Sequence, residues 1–233
     1  MAEPLVLGVL GGMGPAATLE FLRQLQAYTP AEKDQDHLRV LVDINPQAPD
    51  RNTPGSMAGP VLAEMAGALA GSGAQVLAMP CNTAHAYSDL IQRASGLPLI
   101  DLIQTGAQAA AASGAMRAGV LGTKGALKLY REYLAAQAMG IVGLSAEDQE
   151  RFMAALYRIK SGDTGPQVKA EMRTLAHQLV ADGAEVIVAG CTEVPLVIGP
   201  TDLKVEFVDP GDLLARRCVA VCLGMEPLPG LPV

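Results

Sequence analysis

Short apolar runs alternate with helix-spaced segments along almost the whole chain. Leu5 to Leu10 is a continuous apolar run ending in Gly11-Gly-Met-Gly-Pro15, and Ala16 to Ala27 then carries apolar residues at helical spacing. Pro15 suits a first helical turn, where its missing N–H has no partner to lose. Arg39 to Ile44 reads as a second buried strand, followed by a long polar loop, Asn45 to Pro54, expected to be exposed. Pro60 to Leu69 is a small-residue helix, Val76 to Met79 a strand, and Thr83 to Ala94 a helix with Asn82 as its cap. Leu97 to Leu102 is a strand and Thr105 to Ala112 an alanine-rich helix. The second half opens with a strand at Gly119 to Leu121 and a helix from Ala126 to Met139. Ser145-Ala-Glu-Asp148 resembles a capping box before a helix running to about Lys160. Gly162-Asp-Thr-Gly-Pro166 breaks the pattern before a helix from Val168 to Ala181. Strands at Val186 to Val188 and Val205 to Val208, a helix from Leu213 to Val221 and a loose Pro/Gly-rich tail complete the chain.

The alternation is written twice. Gly73-Ala-Gln-Val-Leu-Ala-Met-Pro-Cys81 reappears as Gly183-Ala-Glu-Val-Ile-Val-Ala-Gly-Cys191, 110 residues on (191 against 81). Gly8-Val-Leu-Gly11 is echoed by Gly119-Val-Leu-Gly122, and Leu99-Ile-Asp101 by Phe207-Val-Asp209. Three landmarks in one order at nearly one offset imply two copies of one αβ unit. Strands apolar on both faces, alternating with helices, imply mainly parallel sheets with helices on both faces. The expected fold is therefore α/β, with two similar half-domains related by a pseudo-twofold axis. Residues 1–103 and 210–233 form the first lobe, with Cys81, and residues 104–209 the second, with Cys191. Ligands in such sheets lie beyond the carboxyl ends of the strands, where both cysteines fall. The symmetry would set them facing each other across a cleft that forms the active site.

Composition narrows the function. Half of the 233 residues are apolar, ample for a core, while aromatics are only 3%, so Ala, Val, Leu, Ile and Met must build it. A net charge of −7 argues against nucleic-acid or membrane-surface binding, which needs a basic field, yet permits an anionic small molecule held by a few local cations. The N-terminus lacks the basic segment of a signal peptide, and no apolar run approaches the roughly 20 residues of a membrane span. The four cysteines, Cys81, Cys191, Cys218 and Cys222, have no CxxC spacing, so no metal site is expected and a cytoplasmic location would keep them reduced.

Two opposed thiols suit a reaction that is symmetric about its substrate. Inverting a stereocentre beside a carbonyl is such a reaction: one thiolate removes the Cα proton and the opposite thiol returns a proton to the other face. A helix start after each cysteine, at Asn82-Thr83 and Thr192-Glu193, would favour the thiolate. Cys218 and Cys222, four apart on an apolar helix, read as core. His85 is either a third acid/base group or a packed, hydrogen-bonded histidine, and His37 and His177 read as surface residues. Asp101 and Asp209 repeat between the halves at strand ends. Glu193 is placed to orient substrate or thiol, Gln47 to line the site from the Arg51 loop, and Arg51 to grip a carboxylate bidentately. Other readings stay open. Gly12-Met-Gly-Pro-Ala-Ala17 after a strand, with Asp43 ending the next, fits a dinucleotide fingerprint, although Pro15 removes an amide donor from the turn and the paired cysteines go unexplained. A non-catalytic two-lobed binding protein would account for a cleft and Arg51 but has no need of two thiols.

With these motifs the chain resembles the cofactor-independent aspartate/glutamate racemases, most closely the aspartate racemases. Gly11 to Pro15, Thr29-Pro-Ala-Glu-Lys-Asp-Gln-Asp-His37, Asn45-Pro-Gln-Ala-Pro-Asp-Arg51, Pro80-Cys-Asn-Thr-Ala-His85 and Gly190-Cys-Thr-Glu-Val194 carry the resemblance, which covers nearly the whole chain up to the tail. It implies that Cys81 and Cys191 are the catalytic acid/base pair. It further implies that Met13, Asn82, Thr83, Thr123 and Thr192 contact substrate, the polar ones holding its α-carboxylate and ammonium. Arg51 and Lys160 would take the side-chain carboxylate, with Lys160 on an element that closes over it. The resemblance also implies no cofactor, an acidic amino acid as substrate (aspartate first, with glutamate or a broader range as the alternative) and a homodimer.

Overall fold

Strand β1 (Leu7–Gly11) is buried at all of its positions, as a strand covered on both faces must be. The computed structural model describes residues 3–53 and 55–231, so Pro54 in the predicted loop and the extreme ends of the chain lie outside the described residues. The chain divides into two compact units, Met1–Leu102 with Gly211–Val233, and Ile103–Pro210.

In the first unit, β1 is followed by α1 (Pro15–Tyr28), β2 (Val40–Ile44), α2 (Ala58–Gly71), β3 (Val76–Ala78), α3 (Ser88–Ser95) and β4 (Leu99–Ile100). All pairings are parallel, in the order β2-β1-β3-β4, with Leu7 opposite both Val40 and Val76. From Leu102 the chain continues through α4 (Leu102–Ala112), β5 (Arg117–Val120), α5 (Lys124–Ala136), β6 (Gly140–Val142), α6 (Ala146–Lys160), α7 (Pro166–Ala181), β7 (Val186–Val188) and β8 (Glu206–Val208). The second sheet is again parallel, in the order β6-β5-β7-β8. Helix α8 (Pro210–Cys222) closes the chain, and its end is tied to the first unit by the Leu5 N–H donating to the Cys222 carbonyl at 2.9 Å. The fold is thus α/β, and both sheets have the same strand order.

The repeated Gly-Val-Leu-Gly has a packing cause. A Cβ on Gly8 would meet the Leu77 side chain at 2.8 Å and Ala74 at 2.9 Å. One on Gly119 would meet Ala184 and Ile187, both at 2.7 Å. In each unit the turn that feeds the third strand lies directly on the first strand, and only a residue without a side chain leaves room for it. Each unit has its own apolar cluster. Leu10, Leu62, Met65, Leu77 and Ile91 pack together in the first unit, and Leu121, Phe152, Leu156, Met172 and Ile187 in the second.

Four features differ from the expectation. Strand β2 is an edge strand rather than a buried one, and leaves Val42 38% and Ile44 42% exposed; a strand with one neighbour can read as apolar without being covered. Strand β6 went unpredicted because Gly140-Ile-Val142 is three residues long and offers no periodicity. The predicted strand Leu97 to Leu102 pairs only at Leu99–Ile100, since Leu102 already begins α4. Finally, the helix expected from Thr83 is a 3-10 turn, Thr83–Tyr87, followed by α3, and the Asn82 side chain does not cap it.

Candidate active site

In the first unit the carboxyl ends of β1, β2 and β3 deliver Met13, the Gln47–Arg51 loop and Cys81, respectively. Beyond β3 the Cys81 N–H donates to the Met79 carbonyl at 2.8 Å, a tight turn that leaves the cysteine buried among Met13, Ala48 and Ala84. Asn82 and Thr83 follow it, both buried. Arg51 folds back rather than projecting outward. It donates to the carbonyls of Ala48 (3.3 Å), Pro49 (3.0 Å) and Met13 (3.1 Å), and its Nε–H is buried without a hydrogen-bond partner. The loop expected to be exposed is therefore pinned to the first glycine turn at Arg51, whereas Gln47 remains exposed.

His85 sits under Cys81. Its Nε2 accepts from the Leu102 N–H at 3.1 Å, so the ring proton lies on Nδ1 and is donated to the Cys81 carbonyl at 2.9 Å. Both nitrogens are occupied by backbone, which makes His85 a clamp on the cysteine turn rather than a third acid/base group. Burial pushes its pKa below the usual 6.5, only partly offset by the Asp101 carboxylate. A folded-state pKa below the unfolded one means that the neutral ring contributes its full stability above pH 6.5, and that this is lost as pH falls through that value toward the folded pKa. His85→Phe should therefore cost about 1–3 kcal/mol at pH 7 for each backbone group left unpaired. Its thermal midpoint between pH 8 and pH 5 should also fall less steeply than the wild type's, and parallel curves would disprove the clamp.

The second unit arranges its residues differently. Thr123 ends the β5 turn and caps α5, accepting from the Ala126 N–H at 3.2 Å. Beyond β7 come Cys191, Thr192 and Glu193, all buried, with the Val194 N–H donating to the Cys191 carbonyl at 3.0 Å. The Cys191 thiol donates to Glu193 Oε2 at 2.8 Å, while Glu193 Oε1 pairs with the Lys160 ammonium at the end of α6. Glu193 is 1% exposed, and the Lys160 side chain 21%. In this structure Lys160 is thus partnered by protein. The helix starts expected after the cysteines are the short 3-10 turns Thr83–Tyr87 and Val194–Leu196, too brief to supply the aligned dipole of a full helix.

Thr18 and Gln149 are among the buried polar residues that the sequence pattern did not single out. Thr18 accepts from the Gly12 N–H at 2.9 Å and donates to the Gly14 carbonyl at 3.0 Å, which holds the first glycine turn closed. Gln149 donates to the Gly122 carbonyl at 3.1 Å and holds the turn before Thr123. The available signal was position: Gln149 lies on the same helical face as Phe152, Leu156 and Ile159, where a polar residue needs a buried partner. Cys218 and Cys222 belong to the core, as expected. Burial raises both thiols, Cys222 to about 11, which leaves them protonated and inert. His37 and His177 are exposed. Among the described residues no helix is long and apolar enough to cross a membrane.

The Asp/Glu/hydantoin racemase family matches residues 10–218, and the chain belongs to that family. It is 24% identical over 229 residues to the broad specificity amino-acid racemase RacX of Bacillus subtilis, covering 95% of this chain and all of RacX. Against the glutamate racemase of Pseudomonas aeruginosa PAO1 it is 31% identical over 158 residues, which span 62% of this chain and 57% of that enzyme. Its fold is shared with the Picrophilus torridus aspartate racemase (TM-score 0.82, 23% identity, 94% of each chain covered). It is shared too with a glutamate racemase from Francisella tularensis solved with D-glutamate (TM-score 0.70, 17% identity, 99% of this chain and 84% of that one).

Proposed function

We propose that this racemase interconverts L- and D-aspartate by two-base proton transfer, with Cys81 and Cys191 as the two acid/base groups and no cofactor. The observation that carries the reading is the matched placement of the two thiols. Each follows the third strand of a duplicated sheet, in a tight turn at the strand's carboxyl end. In one direction a thiolate takes the Cα proton while the second thiol supplies one, and in the other direction the roles exchange. Positioned acid/base groups of this kind contribute on the order of 10²–10⁴ each. Asn82, Thr83, Thr123 and Thr192 would hold the α-carboxylate and ammonium, so that the charge developing at Cα is met by preorganised dipoles.

The preference for an acidic amino acid rests on Arg51, and the choice of aspartate within that class on the resemblance to the aspartate racemases. Three of the Arg51 N–H groups are engaged by carbonyls while Nε–H remains to be satisfied, so a carboxylate reaching that edge would complete the guanidinium's bonding. A homodimer and a cytoplasmic location belong to the same reading. Named relatives include aspartate, glutamate and broad-specificity enzymes, so a substrate panel makes the decisive test. Purified protein in D2O, without added cofactor, is given L-aspartate, L-glutamate and several neutral amino acids, and both Cα deuteration and optical rotation are followed. Deuteration with loss of rotation is expected for aspartate above the others. Faster turnover of glutamate or of the neutral set would displace the aspartate assignment, and deuteration with retained rotation would refute two-base inversion.

A further inference from the structure

We propose that Glu193 is the positioning residue that holds the proton on Cys191, and that Lys160 serves as its counter-ion. The inference draws its catalytic meaning from the racemase reading, but its physical content is independent of it. The thiol donates to Glu193 Oε2 at 2.8 Å, and the other carboxylate oxygen is held by the Lys160 ammonium. Cys191 also belongs to the apolar core of this unit, in one cluster with Leu121, Val194, Val197 and Ile198. A carboxylate in such surroundings interacts strongly with its neighbours. It favours the thiol, which can donate to it, over the thiolate, which repels it. Lys160 limits that repulsion, so Cys191 can still become a thiolate after giving its proton to Cα.

Cys81 is held differently among the described residues. Its turn is clamped through its backbone carbonyl by the neutral His85 ring. Cys191 would accordingly begin as the acid. A protonated resting Cys191 would not alter the ratio of kcat/KM in the two directions, because two enantiomers are equal in free energy and that ratio is one at every pH. The resting state must be read from the thiols themselves.

The experiment is alkylation of the whole protein by iodoacetamide from pH 5 to pH 10, with the rate at Cys191 measured by peptide mass spectrometry. In Glu193→Gln, which keeps the shape and leaves Lys160 charged nearby, the pH midpoint for Cys191 should fall by about one unit, a rate gain at pH 7 of roughly tenfold. In Lys160→Met, which leaves the carboxylate uncompensated, it should rise by a similar amount, and Lys160→Arg should bring it back. Shifts of opposite sign are the outcome that a merely structural role cannot produce, since misfolding would expose the thiol in both variants. An unmoved midpoint in Glu193→Gln, or shifts of one sign, overturns the proposal even if the enzyme racemises aspartate. Opposite shifts in a protein that racemises nothing would uphold the thiol–carboxylate device and refute the proposed function alone.

Discussion

Alanine at Cys81 or at Cys191 should each stop the interconversion of L- and D-aspartate, with kcat/KM falling by about 10³-fold or more. The size follows from the role. A two-base inversion has no route around either proton transfer, and no described side chain within the Cys81 turn can stand in for its thiol, since both nitrogens of His85 are committed to backbone. The two variants should differ in one informative way. Each retains a single base, so each should still wash deuterium into the Cα of one enantiomer without inverting it, and the enantiomer should be opposite in the two cases. Proton NMR of the α-position together with chiral chromatography reads both quantities. Wild-type turnover in either variant would end the two-thiol mechanism, whereas exchange of the same enantiomer by both would mean that the thiols do not work from opposite faces. Both substitutions remove a small buried side chain, so folding should survive, and far-UV circular dichroism would report it.

Gly12→Ala should be the most damaging single methyl group in the first unit. Gly12 has φ +91, which an L-residue with a side chain adopts only under strain. An added Cβ would also lie 2.5–2.7 Å from the backbone C, N and O of Asn45. Backbone cannot rotate away as a side chain can, so the turn after β1 and the loop after β2 must separate. Strain and overpacking together should cost about 2–6 kcal/mol, which for a chain of this length lowers the thermal midpoint by roughly 5–20 °C. Asn45 opens the loop that Arg51 pins to the Met13 carbonyl, so the Arg51 contact should be lost with it. A thermal midpoint within about a degree of the wild type's would show that the turn is softer than this geometry implies.

These effects involve parts of the molecule that differ in how far the sequence discloses them. The duplicated α/β plan was visible in advance because its signals are local. Apolar runs with small residues between them mark parallel strands, and the echo of Gly8-Val-Leu-Gly11 at Gly119 to Gly122 reflects the same close approach of turn to strand in both units. The capping box at Ser145 is also local, and the Ser145 hydroxyl does accept from the Asp148 N–H at 3.1 Å. Cys81 and Cys191 stood out for the same reason, each being the residue where a repeated strand runs out.

What each side chain touches was another matter. Lys160 meets Glu193 across 33 positions, Gln149 meets the Gly122 carbonyl across 27, and His85 reaches Leu102 across 17. No periodicity connects such pairs, because the turns between them decide which groups come within hydrogen-bond distance. Burial behaves likewise: Val42 and Ile44 look like core residues in the sequence yet are exposed on the edge strand β2. By itself the sequence determined the alternating elements, the doubling and the two thiols, all of which depend on residue type and short-range order. The tertiary structure decided that His85 clamps, that Arg51 is pinned, and that one thiol of the two is hydrogen-bonded to a carboxylate, because long-range proximity alone selects among partners that are chemically equivalent on paper.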